Sequence, residues 1–124
     1  MKKFLIILIS LFLLVGCGNK YENRKPTIHT LENTNDGDMK AIFESGNYII
    51  VDVRTPEEYD ESHIKSAINI PYDAIDENIN LDKSKTIMVY CKSGKRSAIA
   101  AETLIKLGYK VYDMGAYNSI NLDK

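Results

Sequence analysis

Residues Tyr90–Ser97 read YCKSGKRS, placing Cys91 directly before a short run that holds Gly94 and the cations Lys92, Lys95 and Arg96. A thiolate is a strong nucleophile and is favoured by neighbouring cations and by helix N-termini. A glycine-containing loop of converging backbone amides is a nest for anions, and a helix beginning there adds its positive end. Together these residue types point to thiolate chemistry on a small anion: a bound thiolate, a persulfide or an incoming oxyanion. The plainer alternative is a small buried residue at a strand end, beside a solvated turn. Four residues, Lys92, Ser93, Gly94 and Lys95, separate Cys91 from Arg96, and Ser97 follows.

The flanking sequence supplies the elements that position such a loop. TIMVYC, Thr86 to Cys91, is a β-branched run expected to form a buried parallel strand ending at the cysteine. A helix is expected from about Arg96 to Leu107, with Ala98, Ala101, Leu104 and Ile105 on one face and Gly108 as its stop. Upstream, TIHTLE (27–32), YIIVDV (48–53) and SAINIP (66–71) read as further strands, and YKVYDM (109–114) as the last. DGDMKAIFESG predicts a helix ended by Gly46. Thr55-Pro56-Glu57-Glu58 is a capping-box start for a short helix reaching about His63, and YDAIDENI predicts another short helix. Strands alternating with helices mean a small α/β domain around a mainly parallel sheet, and ligands in such sheets gather at the strands' carboxyl ends.

The first residues read differently. Lys2 and Lys3 precede an apolar run from Phe4 to Val15, interrupted only by Ser10, and Gly16-Cys17 follow. That is the pattern of a secretory signal, and the run is shorter than the roughly twenty residues a spanning helix needs. LVGC, Leu14 to Cys17, resembles the lipobox of bacterial lipoproteins. The resemblance implies cleavage before Cys17, lipid on its sulfur, and a domain held on the extracytoplasmic face of a membrane. An ordinary signal peptide or an uncleaved anchor is the alternative. The expected organisation is therefore a signal peptide (1–16), a lipidated N-terminus and polar tether (17–27) and a folded domain (28–124). With lipid on Cys17, Cys91 has no disulfide partner, because the chain has only two cysteines. The net charge of −1 provides no broad basic surface for nucleic acid. No metal-ligand cluster or nucleotide-binding loop is present in the sequence, so no metal or cofactor is expected.

Three segments in order, VDVRTPEEY (51–59), HIKSAINIP (63–71) and VYCKSGKRSAIAAETLIKLGYKVYDMGA (89–116), resemble single-domain rhodanese-like proteins. The resemblance runs from about Ile28 to Ala116. It implies a five-stranded, mainly parallel sheet flanked by helices on both faces, and sulfurtransferase activity. By the same resemblance Cys91 is the catalytic residue that carries a persulfide, and Lys92, Ser93, Gly94, Lys95, Arg96 and Ser97 form the loop that cradles it. Asp52 and Arg54 brace the region, and His63 is read as structural. The expected partners are thiosulfate or a persulfide donor, with cyanide or a thiol as acceptor, acting on a monomer. Ser62 and Ser66 stand where the family usually has glycine, and GAYNSI (115–120) replaces a glycine- and tryptophan-containing signature, with Tyr117 as the candidate aromatic wall of the pocket. A non-enzymatic persulfide carrier, sensor or binding module is the competing reading. Cysteine phosphatases and arsenate reductases of similar fold are disfavoured, because the phosphatase loop places five residues, not four, between cysteine and arginine.

Overall fold

The computed structural model describes residues 36–124. Four parallel strands form one sheet in the order β2-β1-β3-β4: β1 is Tyr48–Asp52, β2 Ile68–Asn69, β3 Thr86–Cys91 and β4 Lys110–Ala116. Strand β3 is hydrogen-bonded on both sides and covered on both faces, which is why its sequence is apolar without alternation. Side chains nevertheless alternate between two cores. Val51, Val53, Ile87, Val89 and Cys91 face one side, where α3 (Lys95–Lys106) lays Ala100, Ala101 and Leu104 against them. Ile50, Met88, Tyr90, Tyr112 and Met114 face the other, packed against Met39, Ile42 and Phe43 of α1 (Asp36–Ser45) and Tyr59 of α2 (Pro56–Glu61). The sheet is thus flanked by helices on both faces, as expected. Leu104 is fully buried, and truncating such a side chain costs about 2–5 kcal/mol.

The differences from the expected elements have local causes. The strand expected at 27–32, the fifth, lies outside the described residues, as do the segments 1–16 and 17–27. SAINIP contributes only the two residues of β2, which among the described residues is an edge strand paired with β1 alone, although its Asn69 amide fastens the end of β1 by donating to the Asp52 and Arg54 carbonyls at 3.0 Å each. YDAIDENI forms a single 3-10 turn, Tyr72–Ala74, because the Asp76 carboxylate takes the Asn78 amide at 2.8 Å and offers the backbone a turn in place of a helix. In α3 the buried stripe is Ser97, Ala100, Ala101, Leu104 and Ile105, while Ala98 is exposed. The two closest matches to expectation are the glycine stops: Gly46 and Gly108 have φ of 67° and 94°.

The strand order reverses direction between β1 and β3, since β2 lies on one side of β1 and β3 on the other. The carboxyl ends of β1 and β3 therefore flank the topological switch point. Cys91 ends β3, and Asp52 and Arg54 lie at and just beyond the end of β1. Against the other side of β3, β4 carries a bulge: Asp113 pairs with Val89 and Gly115 with Tyr90, so Met114 is extra.

Candidate active site

Cys91 is a free, fully buried thiol. Its chain turns back at once, and the Gly94 N–H donates to Cys91 Sγ at 3.0 Å. That turn requires Gly94 at φ 94°, in the left-handed region that disfavours side chains. An added Cβ would sit 3.8 Å from Gly115 Cα, an ordinary contact, so conformation and not space demands the glycine. Gly94 is also the N-cap of α3, and it offers no side-chain cap. The amides of Lys95, Arg96 and Ser97 accordingly have no partner within the helix, and the positive end of α3 is directed at the cysteine end of β3.

Ser97 holds the loop closed from within. It is completely buried, and its hydroxyl donates to the Gly94 carbonyl at 3.1 Å, which also accepts the Ala98 N–H at 3.2 Å. Beneath the loop, Asp113 accepts the Gly115 N–H at 2.9 Å and so fixes the β4 bulge against which Gly94 rests. Burial pushes the Asp113 carboxyl above its ordinary value, and the neighbouring Ser97 hydroxyl and the Gly115 amide oppose that shift.

The loop cations divide into two kinds. Lys92, Ser93 and Lys95 are exposed, and among the described residues neither lysine forms an ion pair. Arg96 is half-buried and forked onto Glu58, with Nη1 to Oε1 at 2.7 Å and Nη2 to Oε2 at 3.1 Å. The Arg96 hydrogen bond lowers the Glu58 carboxyl to about 2. Arg96 is also raised by its Glu58 partner and, more weakly, by the charge of Cys91, which places it within electrostatic reach of the sulfur. In the sequence Glu58 is visible only as the third helical residue of the capping box, and nothing in its spacing from Arg96 signals that the two meet.

Asp52 and Arg54 form a buried ion pair on the sheet face opposite Cys91. Arg54 donates to both Asp52 oxygens and to the Ser62 carbonyl, and the Tyr90 hydroxyl donates to Asp52 Oδ2 at 2.8 Å. Burial pushes the Tyr90 hydroxyl well up, keeping it a donor. Neither Asp52 nor Arg54 touches Sγ; they stiffen the β1–α2 turn and, through Tyr90, the end of β3. Tyr117 lies on this same hub, its ring 4.4 Å from the Arg54 guanidinium and its hydroxyl bonded to Ser62 Oγ at 3.1 Å. The expected aromatic wall of the pocket is therefore a clamp on the buried arginine. His63 stacks on Tyr59 and its Nδ1–H donates to the Tyr59 carbonyl, as a structural histidine would. Ser66 has φ 69°, so its position does favour glycine, whereas Ser62 is extended at φ −168° and suits any residue. No group of side chains suited to a metal occurs among the described residues.

Comparison with known proteins bears on the family and the fold. The family model described as a rhodanese-like domain matches residues 35–121. The chain is 40% identical over 78 residues to the thiosulfate sulfurtransferase PspE of Escherichia coli, covering 60% of this chain and 75% of that protein. It is 30% identical over 107 residues to the thiosulfate:glutathione sulfurtransferase of Saccharomyces cerevisiae, covering 73% and 77%. Among solved structures, a rhodanese-like domain protein from Staphylococcus aureus superposes with a TM-score of 0.60 at 32% identity, over 72% of this chain and 88% of that one. A rhodanese with anions from E. coli gives 0.55 at 34%, over 60% and 93%.

Proposed function

The chain belongs to the rhodanese-like domain family and is a rhodanese-type enzyme, and from that premise we propose that it moves sulfane sulfur from thiosulfate to a thiol or cyanide through a persulfide on Cys91. The Cys91 thiolate attacks the outer sulfur of thiosulfate. The new S–S bond forms as the bond to the sulfonyl sulfur breaks, and that electron pair leaves with sulfite. The persulfide is Cys91–S–S⁻, so charge balances: a thiolate and a dianion become a persulfide anion and a dianion. The acceptor nucleophile then takes the outer sulfur and returns the thiolate.

The observation that carries this reading is the Gly94 N–H on Cys91 Sγ at the uncapped start of α3. An amide that holds one sulfur, beside helix amides with no internal partner, suits a persulfide anion whose charge falls on the next atom out. Complete burial of the thiol favours a slender terminal sulfur atom over a bulky phosphoryl or arsenyl centre. Lys92 and Lys95 supply exposed positive charge to draw the donor anion in. Sulfite release from thiosulfate, followed with cyanide as acceptor, tests the reading. The wild-type chain should turn over with two-step, ping-pong kinetics and Cys91→Ser should not; equal rates in the two would remove Cys91 from the reaction.

The same proposal places the domain outside a bacterial membrane, tethered by lipid on Cys17. Its support is the LVGC junction at the end of the apolar run. Mass analysis of the N-terminal peptide from membrane-extracted protein should show acylated Cys17, and an unmodified cysteine there would overturn the tether.

A further inference from the structure

Among the described residues, Glu58 is the one acidic side chain ion-paired with the cysteine loop, and its charge is committed on two sides. Its Oε1 accepts the Thr55 N–H and the Thr55 hydroxyl at 3.2 Å each, while both of its oxygens take the Arg96 guanidinium. A forked pair of this kind fixes the guanidinium in plane and cancels its charge. With Glu58 lowered to about 2, it remains ionised at any pH where a thiolate attacks. Of the loop's three cations, one is thereby matched before any substrate arrives, by a residue from a different helix.

We infer that Glu58 is a specificity-determining residue that sets how strongly the site discriminates between sulfur donors by their charge. An unmatched Arg96 favours a dianion more than a monoanion; Glu58 removes that bias and leaves the choice to the two lysines and the amides. This inference rests on the sulfurtransferase reading. It concerns a residue placed to act through Arg96, and its signature is the ratio between two donors, which a purely structural role leaves unmoved.

Thiosulfate and methanethiosulfonate provide the comparison. Both deliver an outer sulfur to a thiolate, leaving sulfite and methanesulfinate respectively, but they carry two charges and one. Glutamine at the third helical position also completes a capping box, so Glu58→Gln removes the charge while keeping the cap. In the full chain, the ratio of kcat/KM for thiosulfate to that for methanethiosulfonate should rise roughly three- to tenfold in Glu58→Gln, the effect of one unscreened unit charge near the surface. Arg96→Gln, which leaves Glu58 as an unmatched anion, is the second variant and should move the same ratio down. The increase should shrink in high salt. A ratio unchanged or lowered in Glu58→Gln, or unchanged in Arg96→Gln, with the wild type active, overturns this inference alone. A wild type inert toward both donors overturns the sulfurtransferase reading and this inference with it.

Discussion

Helices α2 and α3 start beyond the carboxyl ends of neighbouring strands, β1 and β3, and they start in opposite ways. At α2, Thr55 Oγ1 takes the Glu58 amide, the Glu58 carboxylate takes the Thr55 amide, and Pro56 occupies a position where no amide is needed. That terminus satisfies itself. At α3 the N-cap is Gly94, with no side chain to offer, and its own amide is spent on a sulfur atom. The donors left open there are what an anion would use, so stability collected at one helix start is withheld at the other. Glu58 joins the two: the residue that completes the α2 cap also holds Arg96 of α3.

This contrast can be broken at several points. The largest effect on stability should come from beneath the capped terminus: Asp52→Ala leaves Arg54 buried without its partner and should cost about 3–5 kcal/mol in urea unfolding. Gly94→Ala comes next. Forcing a side chain into φ 94° should cost about 1–2 kcal/mol. Because the strain falls on the amide that holds Sγ, kcat/KM should drop by about tenfold or more. Thr55→Ala should do the reverse, losing about 1 kcal/mol of stability with kcat/KM held within about twofold. Equal activity losses in the Gly94 and Thr55 variants would erase the distinction between the two helix starts.

Much of the contrast is legible in the sequence, and the rest is hidden for physical reasons. Cap, proline and glutamate lie within four residues, so local rules find the α2 start; Gly94 after a β-branched run marks the α3 turn equally locally. The Glu58–Arg96 pair spans 38 positions and depends on where two helices come to rest, which no periodicity encodes. Tyr117 shows the converse failure. Its aromatic character is plain, but a turn after β4 carries it to the face opposite Cys91, onto Arg54. Ala98 falls outside the buried face because the stripe is centred on Ser97, Ala101 and Leu104, and one residue on from Ser97, about 100° around the helix, lies past its edge.

The smallest effects are tests of sign with pH. Glu58 titrates lower in the folded chain than its ordinary 4.5, so its contribution is present above that value and lost as pH falls through about 2. Glu58→Gln should therefore flatten the acid limb of stability over that window. Asp113 is shifted the other way by burial, so the folded chain is favoured below its ordinary 3.8 and that advantage is lost as pH rises through the raised folded value. Asparagine can still accept the Gly115 amide, and Asp113→Asn should gain on the wild type at neutral pH, with the gain closing on acidification; a gap that widens in acid would contradict the assignment.

The central claim is that Cys91, at the uncapped start of α3, carries the transferred sulfur. Intact and peptide mass analysis after brief exposure to thiosulfate, without acceptor, measures this directly. The account predicts an adduct of about 32 Da, one sulfur atom, on the peptide containing Cys91, released by cyanide or thiol and absent from Cys91→Ser. An unmodified Cys91 in protein that still converts thiosulfate to sulfite would contradict it.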